Sequence, residues 1–136
     1  MVSHLPFKWS IRIYFEDTDS GGVVYHSNYL KFMERARTEW LRSLHLNQAD
    51  LKKKDKIMFV VANVNIDYKK AGRFNDELDI ETSIDKIGAS RVDLTQNIMK
   101  NSDLYTSAKV SIACIHSETF KPQRIPKLIK QQMEIL

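Results

Sequence analysis

Cysteine is almost missing from this chain: Cys114 is its one thiol. No disulfide can therefore form within a copy, and a reducing compartment is expected. Glycine and proline are sparse, four and three in 136 residues, which excludes collagenous or low-complexity architecture. No apolar run approaches the roughly 20 residues that a bilayer-spanning helix needs. The opening MVSHLPFKWS lacks the basic head, apolar stretch and small-residue cleavage site of a secretory signal. A cytoplasmic location without membrane insertion is expected. There is no G-x-S-x-G elbow, no phosphate-binding G-x-x-x-x-G-K-[ST] loop and no dinucleotide glycine fingerprint. His4, His26, His45 and His116 are scattered without ligand spacing, so no metal site is expected.

What is present is a globular balance, 43% hydrophobic and 28% charged, at a length that suits one domain over residues 1–136. The charge excess is mild: 21 basic against 17 acidic residues give +4. It gathers at Lys52, Lys53, Lys54 and Lys56, at Lys69, Lys70 and Arg73, and at Lys121, Arg124, Lys127 and Lys130. Such patches attract phosphates or simply keep a surface solvated. They lack the interleaved aromatics that stack bases, and no nucleic-acid partner is expected.

Periodicity divides the chain. Trp9, Ile11, Ile13 and Phe15 alternate with Ser10, Arg12 and Tyr14, which predicts a half-buried strand. From Ser27 to about Arg42 the period becomes helical, with Tyr29, Met33, Ala36, Trp40 and Leu44 on one stripe. Ser27 or Asn28 is placed to cap that helix through its side chain. A short polar helix is predicted near Gln48–Lys54. Four period-two runs follow, each with its even-numbered residues apolar: Val60–Tyr68, Leu78–Ile84, Val92–Ile98 and Ala108–Cys114. Short connections between the last three favour antiparallel hairpins. Pro126 marks the start of a terminal helix. One apolar sheet face and one apolar helix stripe make a two-layer α+β domain, a curved antiparallel five-stranded sheet wrapped around one long central helix. The exposed edges of such a sheet and the inward Gln96 suggest a homo-oligomer.

The chemistry gathers between the first strand and the long helix, in Glu16-Asp17-Thr18-Asp19-Ser20-Gly21-Gly22-Val23-Val24-Tyr25-His26. A helix N-terminus offers unpaired N–H groups that can hold a developing oxyanion. A carboxylate beside it can attack a carbonyl or activate water, and an imidazole can orient substrate or move a proton. The same residues are also good turn chemistry, with Asx side chains bonding their own backbone. Both readings stand on spacing alone.

Arg12 to Tyr29, R-I-Y-F-E-D-T-D-S-G-G-V-V-Y-H-S-N-Y, resembles the active-site signature of the 4-hydroxybenzoyl-CoA thioesterase family. The segment F-M-E-R-A-R-T-E-W-L-R resembles more narrowly its Tol-Pal-associated acyl-CoA thioesterase branch, and the likeness continues through Y-K-K-A-G-R-F-N-D-E-L and K-P-Q-R-I-P. The resemblance implies a hotdog fold, a dimer or tetramer with active sites between subunits, and hydrolysis of short or small acyl-CoA thioesters, or of acyl-carrier-protein thioesters, without a cofactor. It puts the essential aspartate at Asp19 and the carbonyl-binding N–H at His26, whose ring is also counted catalytic in that branch. It sets Gly22, Val24 and Tyr25 beside the substrate and Phe59 at the acyl end. Lys69, Lys70 and Arg73 are assigned to the CoA phosphates on charge. The branch often carries a tyrosine where this chain has Phe15, so Tyr14 or water must replace that hydroxyl if it matters. The alternative is a non-hydrolytic acyl-CoA or acyl-carrier-protein binding scaffold linked to envelope or lipid-synthesis proteins.

Overall fold

The computed structural model describes residues 6–135; Met1–Leu5, with His4 and half of the opening segment read above, and Leu136 lie outside the described residues. Strand β1 (Phe7–Arg12) leads through a one-turn 3-10 helix (Phe15–Asp17) to the long helix α1 (Asn28–Ser43). A short helix α2 (Gln48–Asp50) continues into a π-helical turn (Leu51–Asp55). Strands β2 (Ile57–Tyr68), β3 (Glu77–Ile87), β4 (Arg91–Lys100) and β5 (Asp103–His116) follow, and helix α3 (Lys127–Ile135) closes the chain. The five strands form one antiparallel sheet in the order β1-β3-β4-β5-β2, curved against α1 in the hotdog arrangement.

The periods explain the layering. Tyr29, Phe32, Met33, Ala36, Trp40 and Leu41 form the buried stripe of α1. They rest on the even-numbered Leu78, Ile80, Val92, Leu94, Ile98, Val110, Ile112 and Cys114 of the sheet, and Ile129 and Met133 of α3 seal the open end. Each such side chain taken from water is worth about 1.5–3 kcal/mol. The Gln96 side-chain amide is fully buried and has partners at both ends. Its Nε2 donates to the Met33 carbonyl (3.1 Å) and to Thr82 Oγ1 (3.0 Å), while its Oε1 accepts from Arg37 (2.9 Å).

Three expectations are corrected here. Phe15 does not end the first strand facing inward. The chain leaves the ladder after Arg12, Ile13 is held instead by Asp76 and Asn75, and Phe15 sits 78% exposed on the 3-10 turn with its ring edge-on to Phe74 at 5.9 Å. Neither Ser27 nor Asn28 caps α1 by accepting an N–H: Ser27 is already in the helical region and makes no side-chain cap bond, and Asn28 is a donor elsewhere. Finally, β2 does not bury its even residues cleanly. It is the sheet's far edge, and a register shift between Val61 and Asn63 leaves Ala62 and Tyr68 exposed.

Candidate active site

The loop between β1 and α1 is closed by its own backbone. Thr18 and Val24 form an antiparallel bridge, and the Asp19 N–H donates to the Val23 carbonyl at 2.9 Å. The Gly22 N–H returns to the Asp19 carbonyl at 3.0 Å. Gly22 takes φ +79°, a left-handed setting that costs an L side chain and is free to glycine. The two aspartates of the segment are separated by this geometry. Asp17 is structural: its Oδ2 accepts the Tyr14 N–H at 2.8 Å, and its carbonyl accepts the Tyr25 N–H (3.0 Å) and Asn28 Nδ2 (2.9 Å). One carbonyl therefore ties the exit of β1 to the start of α1. Asp19 is exposed at the loop tip. Its Oδ1 accepts the Gly21 N–H at 2.8 Å, the Asx-type turn read in the sequence, and Oδ2 has no partner among the described residues.

At the helix start the N–H groups of His26 and Ser27 have no acceptor among the described residues, as expected of a first turn. The His26 ring lies between Tyr25, 4.7 Å away by centroid, and Tyr68, at 6.3 Å. The Tyr68 hydroxyl donates to the His26 carbonyl at 3.4 Å. The His26 and Tyr68 rings wall a cavity of about 220 Å³, lined also by Val24, Tyr29, Lys69, Lys70 and Ala71; Tyr25 is not part of its lining. Its floor is firm. Tyr29 is buried, and desolvation holds its hydroxyl above the ordinary phenol range, eased in part by the Gly72 N–H that it accepts at 2.9 Å. A Cβ on Gly72 would come within 3.2 Å of Leu78 and 3.3 Å of Val24, so glycine lets this segment close on the loop.

The remaining site residues fall as follows. Lys69 and Lys70 reach the cavity wall, each beside a carboxylate: Asp67 at 3.0 Å and Asp103 at 3.6 Å. Arg73 bridges backbone-to-backbone with Val23 and donates its N–H to Asp76 Oδ2 at 2.9 Å, which places it next to the loop. Phe59 lines a different groove, about 150 Å³ between α1 and β2, with Glu34, Arg37, Leu41 and Val61 among its neighbours. Another cavity, about 340 Å³, lies away from all of these at the β3–β4 turn beside Lys86 and Arg91. No group of three or more His, Cys, Asp or Glu among the described residues is placed to hold a metal ion. Tyr68 and Ala71 were missed by sequence reasoning. Their one signal is that the apolar parity of β2 runs out at Tyr68, into Lys69-Lys70-Ala71-Gly72.

Comparison with known proteins agrees with the fold. Residues 13–133 match the family described as the thioesterase-like superfamily. The acyl-CoA thioesterase YbgC of Haemophilus influenzae is 40% identical over 124 residues, covering 91% of this chain and 91% of that one. Among solved structures, a probable thioesterase from Bartonella henselae superposes with a TM-score of 0.85 at 35% identity, over 89% of this chain and 99% of that one. A DHNA-CoA thioesterase from Staphylococcus aureus superposes at 0.80 with 30% identity, over 86% and 78%.

Proposed function

The chain belongs to the thioesterase-like superfamily, and from that premise we propose that it hydrolyses acyl-CoA thioesters at the start of α1. Asp19 is assigned as nucleophile or general base and the His26 N–H as oxyanion donor. The observation that carries this reading is the bonded loop itself. Through the Asp17 carbonyl, the segment bearing Asp19 is fastened to the helix start, where two backbone donors have no acceptor among the described residues.

The thioester carbonyl oxygen sits against the His26 N–H, and the partial positive charge of the first turn favours the oxyanion as it forms. As a nucleophile, Asp19 displaces CoA thiolate and forms a mixed anhydride that water then opens. As a base, it takes a proton from the water that attacks. Both routes end in a carboxylic acid and CoA, and neither calls on a resident cofactor. The small cavity walled by Val24, Tyr29, Tyr68 and Ala71 favours a short or compact acyl group. Gly22, by its conformation, keeps the loop tip open, and Tyr25 lies against the His26 ring. Lys69 and Lys70 at the cavity wall and Arg73 beside the loop are the proposed phosphate ligands, each with a carboxylate nearby. An acyl-carrier-protein thioester is the second substrate class to test.

Asp19→Asn keeps the size and the Gly21 bond while removing the charge. It is expected to lower hydrolysis of short acyl-CoA by about a hundredfold or more with binding preserved. Hydrolysis at the parental rate would remove Asp19 from the mechanism. His26→Ala is expected to cost less, since the N–H survives. Acyl-CoA binding without thiol release by the parental protein would instead favour the scaffold.

A further inference from the structure

At the end of β2 opposite the helix-start cavity, two turns are joined into one surface. The carbonyl of Lys56, itself left-handed at φ 59°, accepts the Ser117 N–H at 2.8 Å, and its ammonium lies 3.8 Å from Glu118. The second turn is fixed by five bonds, one of them from the Lys121 N–H to Thr119 Oγ1 at 3.3 Å. The His116 N–H donates to the Lys121 carbonyl and the Phe120 N–H to the His116 carbonyl, both at 2.9 Å. His116 Nδ1 accepts the N–H groups of Glu118 (3.1 Å) and Thr119 (3.2 Å). At its tip stands Phe120 at φ 59°, with its side chain 66% exposed. That backbone setting suits glycine or asparagine, and a phenylalanine held there is uncommon. The fold therefore holds an apolar ring in water on a rigid mount. Lys121 adjoins it, and across the junction stand the exposed Lys52, Lys53 and Lys54, which have no ion-pair partner among the described residues. The acids nearby are Glu118, which faces Lys56, and the exposed Asp50 and Asp55 of the preceding turn.

We infer that this end of the molecule docks on an anionic lipid surface, with Phe120 entering the headgroup boundary and the lysines lying over the phosphates. Aromatic rings settle at that boundary, and lysines near it are attracted by the negative surface potential. A protruding ring flanked by lysines suits a deformable, charged interface better than the close-packed core of a protein contact. An acidic carrier protein would match the charge, but it would dock a strand length from the helix-start cavity. The 12 residues of β2 cover about 35 Å at 3.2–3.4 Å per residue. No helix among the described residues is long and apolar enough to cross a membrane, so the contact is peripheral.

The test uses the full chain and sedimentation with vesicles of equimolar phosphatidylglycerol and phosphatidylcholine, against vesicles of phosphatidylcholine alone. Binding is expected to be about tenfold stronger to the anionic vesicles and to weaken with salt. Phe120→Asp, and separately the triple change Lys52→Glu, Lys53→Glu and Lys54→Glu, should each lower it about tenfold. Both variants keep parental acyl-CoA hydrolysis and circular dichroism, because none of these residues belongs to the loop or the cavity. Equal binding to the two vesicle types, no binding to either, or capture of a purified acidic carrier protein in place of vesicles would overturn the proposal. So would a Phe120→Asp variant that sediments like the parent. The readout is independent of the proposed hydrolysis, so it stands or falls apart from the role given to Asp19.

Discussion

Cys114 points its thiol into the core beneath the β5–α3 connection, with no exposed surface and with Sγ 4.0 Å from the Arg124 carbonyl. Burial pushes its pKa up to about 11, so the nucleophilic thiolate is scarce at neutral pH. A colorimetric disulfide reagent should therefore leave the native protein nearly untouched and titrate one thiol per chain only after denaturation. Rapid labelling of the folded protein would contradict that burial. The result has a use, because CoA released by hydrolysis can then be read over almost no protein background. At the same scale, spacing alone could not tell Asp17 from Asp19, and it was the family resemblance that pointed to Asp19. Only the fold shows that Asp17 holds the Tyr14 N–H while Asp19 is presented at the tip.

Among the elements, α1 was legible almost to the residue, because a stripe of spacing three and four survives any tertiary context that offers one apolar face. The end of β1 was not. Ile13 keeps the parity of a strand, yet its backbone is taken by the 72–76 segment, sixty residues away in sequence, and no local pattern records that exchange. The segment is itself pinned by Asp76, whose Oδ1 lies 3.0 Å from Lys100 Nζ and whose Oδ2 accepts the Arg73 N–H. Partial desolvation raises its pKa, but the Arg73 N–H and the hydrogen bond and charge of Lys100 outweigh it, so the carboxyl sits below the ordinary range. A carboxyl lowered in the native state contributes stability that is full above its unfolded pKa and is lost as pH falls through its native one. Thermal melts should therefore show the parental protein losing more Tm than Asp76→Asn as pH drops below about 4, the ordinary carboxylate range. Parallel curves for the two proteins would remove Asp76 from the acid response.

For the molecule as a whole, the hairpins β3–β4 and β4–β5 could be read from their short connections, whereas the pairings β1–β3 and β2–β5 could not, since nothing local encodes a partner so distant in the chain. Tyr68 entered the site for the same reason: the β2–β5 pairing brings the end of that edge strand back to the helix start. Gln96 was legible as an inward polar residue, but its three partners were not, because they come from α1 and β3. Gln96→Leu keeps the volume and strips the bonds, and is expected to lower stability by about 1–3 kcal/mol in denaturant titration with an unchanged slope. A midpoint equal to the parent's would mean that those bonds add nothing net.

A cylinder resting in a greasy trough has no preferred angle of roll. The Gln96 amide acts as a detent: it meets Met33, Arg37 and Thr82 together at one setting of α1 against the sheet. That rod begins at Asn28, five residues before Met33, and His26 stands in the turn that leads into it. The setting of the helix start against the sheet is thus fixed by a side chain outside the proposed site.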